Sequence, residues 1–461
     1  MNAPFFLPDI TNFLLFSPHE RGDYRPPFEA QSLILRLTEN CDNAGRCKFC
    51  TYTSRTPGRN RFRERELSEV EEDIEKAAQH YHRWLDLLEK YECRDHSEDG
   101  ASHRTQMLKD QWYQRAFFQE ANALFLDTAK SRKAMELVKA HFPHIREFSS
   151  FGSAKVLGNP RHPRYKSLDD LASLHEIGLR RVYMGLESGA DEVLGFMGKG
   201  STAENMIHAG QNLKKADMEI CLSFILGLGG TQHSQVHAQE TAWVLNAVQP
   251  DIAAALGLFL NPSTPLHQEM QQGRFTPATV EQILDEKEYI IRHIDFPCSF
   301  SCSHVANFLN EVAGELPQDR ETMLEAIDRY RSLGIKEKLL FFIGSRDHWY
   351  PSLDHFFQDN VEARYKKMIT ALRVKLNRME REGKEKGEGN GYHTDKEGYF
   401  RSGRRLLERL QNPGWDYRDK LLMLRLWEKN RQWLEEQRFF SLEYLTDIYS
   451  RANLLFPPKV M

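Results

Sequence analysis

Three cysteines lie within ten residues near the start of the chain, at positions 41, 47 and 50. Five residues and then two separate them, and no fourth cysteine or histidine is close by in the sequence. Three thiolates suit a cubane iron–sulfur cluster that leaves one iron open to an outside ligand, whereas a structural zinc ion takes four protein ligands. We therefore interpret Cys41, Cys47 and Cys50 as the ligands of one [4Fe–4S] cluster.

Other metal sites are alternatives to this interpretation. A zinc site at the three cysteines would need a distant fourth ligand such as Cys93 or His103. A second metal centre could involve Cys298, Cys302 and His304, but two thiols and an imidazole fall short of the ligand set that a second cubane normally takes. We favour reduced, packing cysteines in that segment.

Composition narrows the class of protein. The chain has 461 residues, of which 40% are hydrophobic, so it can bury a large core. Its formal net charge of −4 gives no general attraction to nucleic acid, which makes a nucleic-acid partner unlikely. No apolar run approaches the length of a membrane span. Seven cysteines at irregular spacing are not typical of a disulfide framework. We expect a cytoplasmic protein with no membrane association.

The stretch between residue 32 and about residue 259 predicts the scaffold. Short apolar runs bounded by turn residues alternate there with amphipathic stretches, a pattern typical of βα units and a parallel sheet. We predict an α/β fold with a partial (βα)6 TIM-like barrel, whose sites lie at the carboxyl ends of the strands. The predicted strands are 32–37, 116–121, 147–151, 181–186, 219–226 and 253–258, and the predicted helices are 68–91, 131–142, 167–177, 202–216 and 234–247.

Changes in composition divide the chain. We predict a lead-in segment at 1–31, a core barrel with its following loop at 32–319, and a mainly helical C-terminal extension at 320–461. A polar insertion is expected at about 83–115, ahead of the second strand. The extension is rich in charged and aromatic residues, and its helices are predicted at 320–333, 361–381, 401–411 and 416–450.

Two motifs in order carry a resemblance to a known family. The first is the cysteine cluster with Phe49 before its last member, and the second, about 140 residues later, is Tyr183-Met-Gly-Leu-Glu-Ser-Gly-Ala-Asp-Glu-Val-Leu194 followed by Met197-Gly-Lys-Gly200. Together they resemble the radical S-adenosylmethionine superfamily, in its uncharacterised iron–sulfur oxidoreductase branch. Weaker similarity continues through 225–230, 262–266 and 303–308. The usual cysteine spacing in this superfamily is three and then two residues, so the gap of five residues here is a departure.

The resemblance implies a cofactor and a reaction. The three cysteines would hold three irons, and S-adenosylmethionine would chelate the fourth. Reductive cleavage of S-adenosylmethionine would then give a 5′-deoxyadenosyl radical that abstracts hydrogen from a substrate, expected to be a small molecule. An electron donor such as flavodoxin or ferredoxin is implied as a partner. The resemblance does not choose a substrate or an oligomeric state.

The resemblance also implies roles for single residues. Phe49 would lie against the adenine, Glu187 would accept hydrogen bonds from the ribose or amino group, and Leu226 and Gly227 would offer backbone groups to the adenine edge. Further candidates for contact with S-adenosylmethionine are Glu120, Asn122 and Ser153, and the catalytic candidates in a loop that could reach the barrel mouth are His304 and Asn307.

Ordinary structural roles compete with several of these assignments. Glu187 could cap the helix that begins near Asp191, and Phe49 could belong to the core. The glycine-rich run 227–230 could be a strand-to-helix turn. Two other functions also remain open: a metal-binding module without turnover, and a nucleic-acid-modifying enzyme of the same superfamily.

Overall fold

The structure is a computed structural model, which describes residues 26–29, 32–43, 45–50, 62–92, 115–304, 307–385, 394–429 and 440–451. Eight of its ten strands form one sheet, and the other two form a small hairpin. The strands are β1 (Leu33–Arg36), β2 (Thr38–Glu39), β3 (Arg63–Glu64), β4 (Arg115–Gln119), β5 (Glu147–Gly152), β6 (Leu179–Glu187), β7 (Glu219–Leu226), β8 (Ile252–Gly257), β9 (Cys298–Ser301) and β10 (Gly314–Leu316).

The main sheet is mostly parallel and has the order β1-β4-β5-β6-β7-β8-β9-β10. The first seven strands of this order pair in parallel, and only β10 runs antiparallel to its neighbour. Within the described residues β1 and β10 do not pair, so the sheet is open. All six predicted strands are present, which confirms the α/β class and the βα scaffold.

The described residues also form sixteen α-helices. They are α1 (Leu67–Glu92), α2 (Thr128–His141), α3 (Ala154–Leu157), α4 (Leu168–Glu176), α5 (Asp191–Met197), α6 (Ala203–Lys215), α7 (Gly230–Val248), α8 (Pro265–Gln271), α9 (Val280–His293), α10 (Arg320–Arg331), α11 (Ile335–Arg346), α12 (Leu353–Phe357), α13 (Val361–Glu385), α14 (Thr394–Arg409), α15 (Tyr417–Lys429) and α16 (Leu442–Ser450).

Local sequence explains where several helices begin. Ser167 and Asp170 form a reciprocal capping box at the start of α4, and Thr279 and Gln282 do the same for α9. Thr202 caps α6 by accepting from the backbone N–H of Asn205. Each cap satisfies amide groups that have no partner inside the helix.

The two faces of the sheet bury different sets of side chains. One face packs on the helices through a large apolar cluster that includes Leu33, Phe118 and Leu222. The other face holds a smaller cluster, in which the ring centroids of Phe117 on β4 and Tyr183 on β6 lie 5.6 Å apart. Those strands are two positions apart, about 10 Å in a flat sheet. The close approach of the rings shows that this face is concave, as in a partial barrel.

The C-terminal helices pack on the barrel through α9. Arg331 of α10 pairs with Asp285 at 2.6 Å, and Lys338 of α11 pairs with Glu281 at 2.9 Å. Tyr449 of α16 also donates to Glu281, at 3.2 Å. The helical character predicted for the extension is therefore present, and the extension shares α9 with the barrel.

The structure also differs from the sequence-based elements. The sheet continues past the six predicted strands into β9 and β10, and α3, α8, α9, α11 and α12 were not predicted, whereas α5 is the helix expected to begin near Asp191. Helix α11 is apolar nearly all round, so it lacks the one-sided pattern that identifies a surface helix. The predicted helix 416–450 is α15 and α16, and the intervening 430–439 lies outside the described residues, as do the lead-in 1–25 and most of the insertion. No helix in the described part of the chain is long and apolar enough to cross a membrane.

Candidate metal and cofactor site

The three cysteines lie in the loop between β2 and β3, just beyond the carboxyl end of β1. Backbone hydrogen bonds fix this cysteine loop from two sides. The N–H of Lys48 donates to the carbonyl of Met197 at 2.8 Å, and the carbonyl of Lys48 accepts from the N–H of Leu266 at 2.8 Å. The loop thus contacts two other segments that the sequence singled out, 197–200 and 262–266. Motifs far apart in the chain meet at one edge of the sheet.

Asn43, inside the five-residue gap, joins the cysteine loop to other segments through its side-chain amide. Its Nδ2 lies 2.9 Å from the Sγ of Cys47 and 3.0 Å from the carbonyl oxygens of both Gly198 and Lys199. Its Oδ1 accepts from Lys155 Nζ at 2.8 Å. Because an ammonium can only donate, the Lys155 contact also fixes which side-chain atom of Asn43 is the nitrogen. One buried amide therefore joins the cysteine loop to α3 and to the segment after α5.

The glycine at position 198 is required by the packing of the loop. Gly198 has φ +70°, and a Cβ there would lie 2.3 Å from the carbonyl oxygen of Arg46. Backbone cannot move away as a side chain can, so any larger residue would push the cysteine loop outward.

Glu187, at the end of β6, lies beside the cysteine loop. Its carboxylate pairs with Lys199 Nζ at 2.6 Å, and Lys199 in turn is electrostatically coupled to Cys47. Burial lowers the pKa of Lys199, but the Glu187 carboxylate, together with Cys47 and Cys41, raises that pKa by more. A Cβ at Gly185 would lie 2.2 Å from Glu187 Oε1, so the carboxylate folds back over this glycine. The side chain of Glu187 is thus held next to the cysteines and is not a helix cap.

The absence of a side chain at Gly189 makes room for a neighbouring helix and not for a ligand. A Cβ at this position would lie 2.1 Å from the carbonyl oxygen of Glu240 in α7. The space beside Gly189 is therefore filled by the helix backbone.

Asp42 and Asn122 extend the polar contacts toward β4. Asn122 Nδ2 donates to Asp42 Oδ1 at 3.2 Å, and Lys155 Nζ lies 3.7 Å from Asp42 Oδ2. The Oδ1 of Asn122 is buried and has no hydrogen-bond partner among the described residues. An unsatisfied buried acceptor is costly, so this oxygen fits a ligand that carries a donor, such as an amino group.

The three thiols of the cysteine loop are half-buried. Burial raises the pKa of Cys41 to about 12 and raises that of Cys47, while the Asn43 contacts and the charge of Lys199 act in the opposite direction. A metal bound here would have to displace protons from these thiols. In the described part of the chain no three metal-binding side chains converge on a single ion. A cubane does not need such convergence, because each cysteine binds a different iron.

Phe49 forms part of an apolar wall above the barrel. It packs against a buried cluster that includes Met197, Ile225, Leu260 and Leu266. A planar apolar ligand such as an adenine would find a suitable surface here. Ile225 faces this cluster, whereas the side chain of Leu226 lies in the cluster between sheet and helices. Alternation along β7 could have shown from the sequence that the two point to opposite faces.

Glu120 follows β4 in a left-handed backbone conformation, with φ 84°. It is buried, and its Oε1 lies 3.8 Å from Arg36 Nη1 at the end of β1. The sequence motif did not single out Arg36. Its position at the carboxyl end of the strand places a cation near the mouth of the barrel.

Ser153 and Gly227 have partners inside the protein. The Oγ of Ser153 accepts from the N–H of Lys155 at 3.2 Å and caps α3. The N–H of Gly227 donates to Glu286 Oε2 at 2.6 Å. In this structure Gly227 is therefore fixed from beneath by a carboxyl group of α9, and the glycine run is a strand-to-helix turn.

A buried polar cluster lies under these turns, and it consists of Ser188, Ser234, His237 and Glu286. Ser234 Oγ donates to Glu286 Oε1 at 2.6 Å, and His237 Nδ1 lies 2.8 Å from Ser188 Oγ. His237 Nε2 is 3.8 Å from Glu286 Oε2, which is long for an ion pair. Burial raises the pKa of Glu286 to about 8 and lowers that of His237 to about 4. Burial therefore favours the uncharged form of both groups.

His304 and Asn307 lie in the loop after β9. Asn307 is buried and donates from Nδ2 to the carbonyl of Ala255 on β8 at 2.6 Å. Its Oδ1 has no hydrogen-bond partner among the described residues. Burial, followed by the charge of Arg346, lowers the pKa of His304. The loop is thereby anchored on the sheet next to the strands that carry the other candidates.

Sequence reasoning missed several residues of this site. Neither Lys155 nor Asn43 was singled out, and Lys199 was noted only as part of the segment 197–200. The signals were present in part, because Lys199 lies inside the quoted segment 197–200. Nothing in the sequence alone identifies Lys155 or Glu286, since their partners are more than 50 residues away.

Comparison with known proteins gives structural neighbours only. No family model matches the chain, and no curated protein does. The structure is similar to that of the radical S-adenosylmethionine methyltransferase TsrM from Kitasatospora setae, with cobalamin and a [4Fe–4S] cluster bound, at 14% identity and a TM-score of 0.36, over 55% of this chain and 43% of that one. It is also similar to coproporphyrinogen III oxidase from Escherichia coli, described as a radical SAM enzyme, at 17% identity and a TM-score of 0.32, over 39% of each chain.

A third neighbour is methylornithine synthase, at 11% identity and a TM-score of 0.38, over 59% of this chain and 66% of that one. The match to the methyltransferase TsrM covers less than half of that protein's length. TM-scores below 0.5 do not establish a function. A function for this chain therefore has to be inferred from its own residues.

Proposed function

We propose that this protein is a radical S-adenosylmethionine enzyme. Cys41, Cys47 and Cys50 would hold a [4Fe–4S] cluster, and S-adenosylmethionine would bind its open iron. The bound cluster would supply an electron that cleaves S-adenosylmethionine to a 5′-deoxyadenosyl radical, which abstracts hydrogen from the substrate. One observation carries the proposal: the three-cysteine loop after β1 is bonded directly to the backbone of Lys199, whose side chain pairs with Glu187 at the end of β6.

Other residues of the chain would bind and orient the cofactor. The unpartnered Oδ1 of Asn122 suits the amino group of S-adenosylmethionine. The apolar wall with Phe49 and Ile225 suits the adenine and excludes water from it. Glu187 would accept from the ribose or the amino group while Lys199 holds its carboxylate in place.

For the substrate we propose only a chemical class. Beyond the apolar wall that includes Phe49, the concave face of the sheet carries Arg36 and ends at the loop with His304 and Asn307. We therefore expect a small polar molecule to bind at this face. A reduced flavodoxin or ferredoxin would supply the electron. His304 and Asn307 would touch the substrate from the loop after β9.

Anaerobic reconstitution tests the proposal. The wild-type protein should bind about four irons per chain and, with a chemical reductant, convert S-adenosylmethionine to 5′-deoxyadenosine. The Cys47→Ala variant should lose both properties. The matched control is Cys221→Ala, which removes a buried thiol within β7 and should retain both. Unchanged iron content and cleavage in Cys47→Ala would contradict the proposal.

A further inference from the structure

The five-residue gap between Cys41 and Cys47 holds a hydrogen-bond donor against two of the sulfurs. We propose that Asn43 sets the reduction potential of the cluster, and that the long gap places it there. This inference rests on the proposed function. Asn43 acts as a positioning residue, because it contacts the cysteine ligands and not the substrate.

Both nitrogens of Asn43 lie close to sulfur. Its backbone N is 3.3 Å from Cys41 Sγ, and its side-chain Nδ2 is 2.9 Å from Cys47 Sγ. Sulfur is a weak acceptor when protonated, but a cluster-bound thiolate carries charge and accepts more strongly. One residue thus donates to two of the three proposed ligands.

Asn43 cannot turn its amide away from Cys47. Lys155 holds Oδ1 at 2.8 Å, and the carbonyls of Gly198 and Lys199 share the two protons of Nδ2 with the sulfur. The residue is only 6% exposed. A donor that is buried and held in this way cannot be exchanged for water when the charge of the cluster changes.

The sign of the effect follows from the charge. Reduction adds one negative charge to a centre that the three thiolates already make negative. Hydrogen bonds to the sulfurs stabilise the more negative state and raise the potential. Lys199 and Lys155 also lie nearby, but each faces a carboxylate, Glu187 at 2.6 Å and Asp42 at 3.7 Å. The amide of Asn43 is a donor without a compensating negative charge.

The experiment measures the potential of the reconstituted cluster by an EPR-monitored redox titration without S-adenosylmethionine. Asn43→Ala removes the side-chain donor and should shift the potential to more negative values. Asn43→Asp replaces the donor with an acceptor of negative charge and should shift it further in the same direction. The matched control is Asn246→Ala, whose amide donates to the carbonyl of His293 on the surface at 2.7 Å, and its potential should equal that of the wild type.

Iron content is measured first in every variant. Absence of a cluster in the wild-type protein would overturn the proposed function and not this inference alone. If Asn43→Ala and Asn43→Asp hold a full cluster at the wild-type potential, the role of Asn43 is wrong. If neither variant holds a cluster, Asn43→Ser decides: it keeps a small polar side chain in the loop but removes the amide that donates to Cys47 Sγ, and it should give a negative shift. A full cluster at the wild-type potential in Asn43→Ser would then overturn the inference.

Discussion

Two polar regions of this molecule differ in charge, one at the barrel mouth and one beneath it. The first is the cysteine-loop network, formed by Asp42, Asn43, Lys155, Glu187 and Lys199, in which cations and carboxylates alternate around the sulfurs. The second is the buried polar cluster, in which burial favours the neutral forms of Glu286 and His237.

The difference between them follows from what each region does. Charge is placed where a charged cofactor would bind, at a partly exposed edge where ions are still solvated. Beneath the turns, hydrogen bonds between uncharged groups hold the backbone in place. Burying uncharged groups costs less free energy than burying charged groups. Four changes test this contrast.

The largest effect is expected from Glu286→Ala. This change leaves the N–H of Gly227 and the hydroxyl of Ser234 without their acceptor and opens a cavity in the core. We expect the free energy of unfolding to fall by about 3–5 kcal/mol, measured by urea denaturation. The control Glu192→Ala removes an exposed carboxylate that faces His233 and should cost less than about 0.5 kcal/mol. Equal losses in the two variants would mean that the buried cluster has no special role.

Gly198→Ala should come next. The new Cβ would meet the carbonyl of Arg46 at 2.3 Å, in a backbone conformation with φ +70°. We expect a loss of about 2–3 kcal/mol and reduced iron content after reconstitution. Gly195→Ala is the matched control on α5, because a Cβ there has nothing within 4 Å. It should raise the free energy of unfolding by about 0.5–1 kcal/mol. Full iron loading of Gly198→Ala would show that the cysteine loop is not docked as described.

The pH dependence of the free energy of unfolding tests whether the buried polar cluster is neutral. The pKa of Glu286 is raised to about 8 in the folded protein from an ordinary value of 4.5. A folded state that binds the proton more tightly loses stability as pH rises between these values, by at most about 1.4 kcal/mol per pH unit. His237, with its pKa lowered from 6.5 to about 4, has the opposite dependence, confined to lower pH.

The informative window for Glu286 is therefore pH 6.5 to 8. Glu286→Gln mimics the neutral carboxyl group, so its unfolding free energy should fall less than that of the wild type across this window. Parallel curves for the two proteins would mean that Glu286 is ionised.

The smallest effect concerns burial of an ion pair. The Glu187–Lys199 and Glu72–Lys76 pairs have the same separation, 2.6 Å. Their exposures differ: the side chains are 12% and 22% exposed in the first pair, and 63% and 51% exposed in the second. Double-mutant cycles should give a coupling of about 1 kcal/mol for the first pair and at most about 0.5 kcal/mol for the second. Equal couplings would remove the energetic distinction between the site and the surface.

The sequence predicted the scaffold well because the strands have clear local signals. Strand β7 matches the predicted 219–226, and the other five predicted strands agree within two residues at each end. These strands are short apolar runs bounded by turn residues, a pattern that can be recognised in a single sequence. Helix α11 and the strands β9 and β10 were missed because burial on all sides, or a length of three or four residues, leaves no such pattern.

The site was predicted only in part, and for a different reason. Cysteine spacing and the glycine-flanked Glu187 are local features. By contrast, Asn43 acts through Gly198 and Lys199, which are 155 and 156 residues away, and Lys155 reaches it across 112 residues. Contacts over such distances depend on the tertiary fold. The roles given to Ser153, Leu226 and Gly227 remain predictions, although their described contacts are internal to the protein.

The contacts of Asn43 also bear on when the site of the proposed cluster can form. The cysteine loop is bonded to a segment that ends about 150 residues further along the chain, so a growing chain cannot complete this site until β6 and α5 have been made. Loss of the metal should in turn leave most of the barrel intact, and amide hydrogen exchange of the apoprotein should be faster at 41–50 and 197–200 than in β5, β6 and β7.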